Sequence, residues 1–76
     1  MNLFDYENAK RIKLVDIDHE EWIGTVEDVI SGEDNNDGVE SIVVRSELVE
    51  KYKGKLVEFP KNEIKSIEII DQDLSK

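Results

Sequence analysis

RIKLVDI (Arg11–Ile17), DHEE (Asp18–Glu21) and WIGTVEDVI (Trp22–Ile30) follow one another without interruption, and their reading decides the fold. The two flanking segments are rich in β-branched residues, and the four polar residues between them have the length of a hairpin connection. In the first segment Ile12 and Leu14 share one face of a strand and Val15 and Ile17 share the other. In the second, Gly24 and Val26 keep one phase as far as Glu27-Asp28, after which Val29 and Ile30 are both apolar. Such phase slips predict bulges or sharp bends. A glycine inside a strand weakens it unless a bend or a close backbone approach requires one, so Gly24 marks such a place.

Working outward, SGEDNNDG (Ser31–Gly38) is a loop, rich in residues that accept positive φ. VESIVVR (Val39–Arg45) is a third strand. Ser46–Gly54 breaks the β pattern, and its spacing predicts one or two helical turns closed by Gly54. KLVEF (Lys55–Phe59) is a fourth strand, Pro60-Lys61-Asn62 a tight turn, and EIKSIEII (Glu63–Ile70) a fifth strand. Before them, Leu3–Lys10 predicts a helical turn or short helix, capped by Asn2, that lays Leu3, Phe4 and Tyr6 against the core. The expected organisation is one domain over residues 1–76, with a helical lead at 2–10, a β domain at 11–70 and a frayed tail at 71–76. The expected core is Val15, Ile17, Trp22, Val26, Ile42, Val44, Val57, Phe59, Ile64, Ile67 and Ile69. Five short strands joined mostly by tight turns describe a mainly β fold, a small antiparallel barrel or strongly bent sheet.

The chain has 76 residues with 38% apolar and 38% charged side chains, which fits one small globular domain. Its apolar runs are too short for a membrane span or a signal-peptide core, so no membrane partner and a cytoplasmic location are expected. It has no cysteine and a single histidine, which removes thiolate chemistry and leaves little for a zinc site or a triad. No serine has a base at a recognisable spacing, and Glu20-Glu21 and Glu27-Asp28 would point to opposite faces of a strand rather than converge. The glycines do not form a phosphate loop. The expectation is a protein that is not an enzyme and carries no cofactor and no resident metal.

The net charge is −9, and its placement is uneven. Residues 16–40 hold Asp16, Asp18, Glu20, Glu21, Glu27, Asp28, Glu33, Asp34, Asp37 and Glu40 and no Lys or Arg. The favoured reading is a solvated, solubilising face. Such a segment repels nucleic-acid phosphates, whose binding runs on Lys and Arg. Salt should screen the crowding and stabilise the fold, and upward shifts of some carboxyl pKa values are expected. Glu33–Gly38 has ligand-like spacing at Glu33, Asn35 and Asp37, but Val44 stands where a calcium loop needs a bidentate Glu and Glu40 where it needs an apolar residue. An ordinary acidic loop is favoured, with a divalent ion stabilising more than NaCl only if the loop gathers its side chains. His19, among acids on a turn, reads as a solvated turn residue open to mild pH changes.

The element pattern resembles the Sm-like (LSm) family, with the first motif over Arg11–Ser46, including Trp22-Ile23-Gly24-Thr25-Val26. Phe59, Ile64 and Ile67 match the apolar spacing of the second. The chain is also similar to small acidic Sm-like domains of Gram-positive bacteria. The resemblance implies a five-stranded, SH3-like barrel with a short N-terminal helix, and assembly through the edges of strands four and five. It also implies RNA binding, but Pro60-Lys61 stands where RNA-binding members carry Arg-Gly. Ile30 and Asp34 occupy the positions of two further pocket residues, so no binding position carries over. The PRC-barrel family, a group of interaction modules, shares an element resembling Gly24-Thr25-Val26-Glu27-Asp28. The expected function is a non-catalytic interaction module that takes a protein partner or a second copy of itself. An Sm-like RNA-binding protein and a PRC-barrel-like adaptor are the alternatives, nucleic acid being the disfavoured partner. Trp22, Asn35, Asn36, Pro60, Lys61 and Asn62 are the candidate interaction surface.

Overall fold

Alternation of apolar and polar residues along the strands sets which face of the sheet turns inward, and register decides between competing faces. The computed structural model describes residues 1–9, 11–47 and 53–70. Strands β1 (Ile12–Asp16), β2 (Glu21–Ile30), β3 (Ser41–Ser46), β4 (Leu56–Pro60) and β5 (Ile64–Ile69) form one antiparallel sheet in the order β4-β3-β2-β1-β5. Each strand lies where the residue pattern placed it, to within two residues at either end. The fold is therefore mainly β. Among the described residues β4 and β5 do not pair, so the sheet is open rather than a closed barrel.

The connection between these two edges explains both the opening and the curvature. β4 and β5 lie at opposite edges, yet only the 3-10 turn Lys61–Glu63 separates them. Four Cα–Cα steps span at most about 14 Å, so the sheet curls until its two edges approach at this corner. The turn is tied to both sides: the Lys61 N–H donates to the Glu40 carbonyl (2.8 Å), and the Ile17 N–H donates to the Glu63 carbonyl (3.1 Å). Each edge thus stays bonded to its own neighbour at the corner.

The expected slips are present. The β2–β3 register shifts between Val26 and Asp28, leaving Glu27 as the extra residue, so that Trp22 and Gly24 face inward before the bulge and Val29 after it. A second shift, between Val15 and Asp16 against β5, leaves Lys65 as the extra residue. Gly24 sits on the central strand opposite both Ile12 and Ser46. A Cβ there would lie 2.2 Å from the Arg45 carbonyl oxygen and 2.6 Å from a Val44 methyl group. A close backbone approach accounts for this glycine.

The core comprises Leu3, Ile12, Leu14, Trp22, Val29, Ile42, Val44, Phe59 and Ile64, with Val26, Val57 and Ile67 partly buried against it. Here β1 departs from expectation. Its inward face is Ile12 and Leu14, both fully buried, whereas Val15 is half-buried and Ile17 is 55% exposed. Leu14 stands opposite Trp22 across the β1–β2 ladder, and the bulky indole draws that phase inward. Ile69 is opposite the buried Ile12, but it lies on an edge strand and remains 44% exposed.

The expected N-terminal helix is a single 3-10 turn, Leu3–Tyr6, because a short polar segment cannot offset the cost of nucleating an α-helix. Asn2 caps it, its side chain accepting from the Phe4 N–H at 3.1 Å. Leu3 is fully buried, while Phe4 is 38% exposed. The helical turns expected at Ser46–Gly54 fall largely on residues 48–52, outside the described residues, as does the tail at 71–76. Ser46 itself ends β3, and Gly54 takes φ +78°. Among the described residues no helix is long and apolar enough to cross a membrane.

Candidate functional site

The ten-residue connection after β2 carries most of the polar geometry. Its 3-10 turn Gly32–Asp34 is followed by a fold-back in which Gly38 takes φ +75°. A Cβ on Gly32 would lie 2.5 Å from the Gly38 carbonyl oxygen, so the two ends of the loop touch. The Asn35 side-chain amide donates to the Val39 carbonyl (2.6 Å) and to the Ser41 hydroxyl (3.2 Å). The Asp37 carboxylate accepts from the Val39 N–H at 3.0 Å. Ser41 points to the face opposite Ile42, where it would ordinarily meet solvent. The loop lies over it, leaving it 1% exposed. Its hydroxyl donates to Glu58 Oε2 on the neighbouring strand at 2.6 Å.

Between this loop and the end of β4 lies a cavity of about 220 Å³. Asn35, Asn36 and Asp37 contribute from the loop, Val39 and Ser41 from the start of β3, and Glu58 and Pro60 from β4. Three of the six expected surface residues, Asn35, Asn36 and Pro60, therefore meet in one place. Lys61 and Asn62 follow in the adjoining turn and do not line the cavity. Trp22 stands apart from all of them. It is 8% exposed, packs edge-on against Phe59 (5.2 Å between centroids, 66° between planes), and its indole N–H donates to Asp16 Oδ2 at 3.0 Å. Its place in the expected core is borne out, and it does not belong to the expected interaction surface. Ser41 and Glu58 were missed from the sequence. Ser41 read only as a serine lacking a base, and its pairing with Glu58 depends on the β3–β4 register, which sequence spacing does not reveal.

The calcium-like spacing gathers no ligands. Asp34 accepts from the Ser31 hydroxyl (3.1 Å), Asn35 turns inward, and Asp37 caps Val39. Among the described residues no three His, Cys, Asp or Glu side chains converge to hold a metal ion. NaCl and CaCl2 at matched ionic strength are therefore expected to raise the melting temperature equally over low salt. An additional rise with calcium would show that the loop carboxylates do converge on an ion. Part of the acidic third is already offset by bases from outside it, since Arg45 pairs with Glu27 (3.0 Å) and Lys13 with Glu21 (3.9 Å). Both are surface pairs of small energetic weight. Arg11 meets Glu47 at 2.9 Å, and the hydrogen bond and charge of that carboxylate raise its pKa.

Asp16 organises the β1–β2 turn. Besides Trp22, its carboxylate accepts from the N–H groups of Asp18 (2.9 Å) and Glu20 (3.0 Å). Partial burial pushes its pKa up, but the bonds from Trp22, Glu20 and Asp18 and the His19 charge outweigh this and hold it below the usual carboxylate range. The direction is opposite to the rise expected from crowded acids. A group whose pKa is lowered by folding stabilises the native state above its unfolded value, about 3.9, and loses that contribution as pH falls through the folded value. Asp16→Asn is thus expected to cost about 1–2 kcal/mol at pH 7. Thermal melts of both proteins should converge as the pH is lowered through the carboxylate range. A gap independent of pH would mean that the charge plays no part. In the same turn His19 takes φ +68°, and its Nδ1 lies 3.2 Å from Lys65 Nζ.

Comparison of the chain with protein-family models, with curated proteins and with solved structures finds no match.

Proposed function

We propose that this protein is a non-catalytic interaction module, an Sm-like curled sheet that associates with further copies of itself through its two edge strands. The observation that carries this reading is the pair of unpaired edges at β4 and β5 among the described residues. Their backbone bonding follows from the ladder. Ser46 N–H bonds to the Lys55 carbonyl and Lys61 N–H to the Glu40 carbonyl, so residues 55, 57, 59 and 61 face β3. Leu56 and Glu58 therefore direct N–H and C=O groups away from the sheet. Likewise the Ile70 N–H bonds to the Arg11 carbonyl, so Ile67 and Ile69 direct theirs outward from β5.

Each edge offers donors and acceptors at two-residue spacing, the pattern that strand addition uses. Leu56, 54% exposed, and Ile69, 44% exposed, supply one apolar side chain to each. Because the two edges differ, pairing β4 of one copy with β5 of the next is heterologous, and it closes into a ring or extends as a filament. Lys65 and Glu68 on β5 are exposed charges of the kind that limit indiscriminate pairing. Nucleic acid is the weaker partner, since the net charge is −9 and the loop cavity presents Asp37 and Glu58 to a phosphate.

Sedimentation velocity over a range of concentrations tests the reading. A mass that is a multiple of 8.8 kDa is expected. Ile69→Pro removes an outward N–H without touching the β1–β5 bonds, and should return the protein to a monomer that still melts cooperatively. A wild-type mass of one chain at every concentration would overturn the proposal.

A further inference from the structure

We infer that the cavity between the β2–β3 loop and β4 receives a cationic side chain, arginine above all, from an extended basic segment of a partner protein. Its size is the first reason. At about 220 Å³ it falls below the roughly 300–1,000 Å³ of pockets that hold cofactors or drug-sized ligands, so one long side chain suits it better than a nucleotide.

Its chemistry is the second. Two carboxylates, Asp37 and Glu58, line it, and among the described residues neither takes part in an ion pair. Glu58 engages Oε2 with the Ser41 hydroxyl, and among the described residues Oε1 takes no hydrogen bond. Ser41 is itself almost fully buried, and its hydroxyl anchors one oxygen of Glu58, a residue that is otherwise exposed. Val39 and Pro60 add apolar lining for the stem of a long cationic side chain, and Asn36 also lines the cavity. A planar guanidinium matches a fixed carboxylate better than an ammonium does.

The position of the cavity is the third. Glu58 and Pro60 belong to β4, whose outward backbone groups at Leu56 and Glu58 would hold an extended segment alongside. Pro60 has no N–H to offer, so strand addition ends there, beside the cavity. The stretch 16–40 that supplies Asp37 contains no Lys or Arg, while Lys61 in the turn after β4 is the basic residue adjoining the cavity. This inference does not require self-association, and a partner segment held on β4 would occupy the edge that pairing of copies uses.

The test is a chemical-shift titration of the full chain with the capped peptide acetyl-Gly-Arg-Gly-amide at 0.15 M salt, where diffuse attraction between exposed charges is largely screened. The neutral isostere, with citrulline in place of arginine, is the control ligand. Shifts should concentrate at Asn36, Asp37, Ser41 and Glu58 and be absent with citrulline. Glu58→Gln should weaken binding about threefold to fivefold, while Glu68→Gln, an equally exposed acid on β5 that does not line the cavity, should leave it unchanged. Retained dispersion of the Glu58→Gln spectrum establishes that this variant is folded. Absence of shifts, equal shifts with citrulline, or equal weakening by the two Gln variants would each overturn the inference.

Discussion

Gly24→Ala is expected to destabilise the protein by on the order of 3 kcal/mol or more, through overpacking. The added methyl group would sit 2.2 Å from the Arg45 carbonyl oxygen and 2.9 Å from its carbon. These are backbone atoms of the adjacent strand and cannot rotate away as a side-chain terminus would. Relief requires β2 and β3 to part locally, and that ladder joins the longest strand to the one bearing Ile42 and Val44. For a 76-residue domain, at about 0.05–0.15 kcal/mol per residue, the whole stability is only about 4–11 kcal/mol. The variant should therefore lose a large share of its folded population at moderate urea. Equilibrium urea denaturation followed by tryptophan fluorescence measures this directly. A midpoint close to that of wild type would mean that the strands do not approach so closely at Gly24.

Leu14→Ala and Val15→Ala form the second experiment, and the contrast between them carries the information. Leu14 is fully buried opposite Trp22, so its truncation should cost about 3 kcal/mol from lost transfer energy and the cavity left behind. Val15 is half-buried on the other face, pairs with Glu21 and Ser66, and should cost less than about 1 kcal/mol. Val15 is β-branched and Leu14 is not, so lost strand propensity adds to the Val15 cost and works against the expected contrast. Equal losses, or a larger loss for Val15, would reverse the inward face of β1. Such a reversal would also move Ile12 out of the core and Ile17 into it.

The same strand shows where residue patterning stops. β1 is apolar on both faces, and nothing within RIKLVDI ranks Ile12 and Leu14 above Val15 and Ile17. The choice comes from Trp22 across the ladder and from the bulge at Lys65 on β5, both properties of paired strands. The β2 bulge was legible, because one strand cannot hold Val26 and Val29 on a single face without an extra residue between them. Gly24 was legible for a similar reason, as a glycine in a strand has few uses. At the cavity, the loop residues Asn35 and Asn36 and the turn residue Pro60 could be singled out. Their partners Ser41 and Glu58 could not, since these are seventeen residues apart and meet only through register.

What the sequence determined by itself is the set of local choices: five strands, their boundaries, the bulge, the turns at Gly38 and Pro60, and the exclusion of thiol chemistry. Each follows from side-chain shape, backbone freedom or hydrogen bonding within a few residues, and so needs no knowledge of the rest of the chain. The tertiary structure decided which face of β1 is buried and that, among the described residues, β4 and β5 end as free edges. It also brought the Asn35–Asp37 loop and Glu58 around one cavity. These outcomes depend on strand order and register, which arise from the joint burial of all five strands and are carried by no single segment.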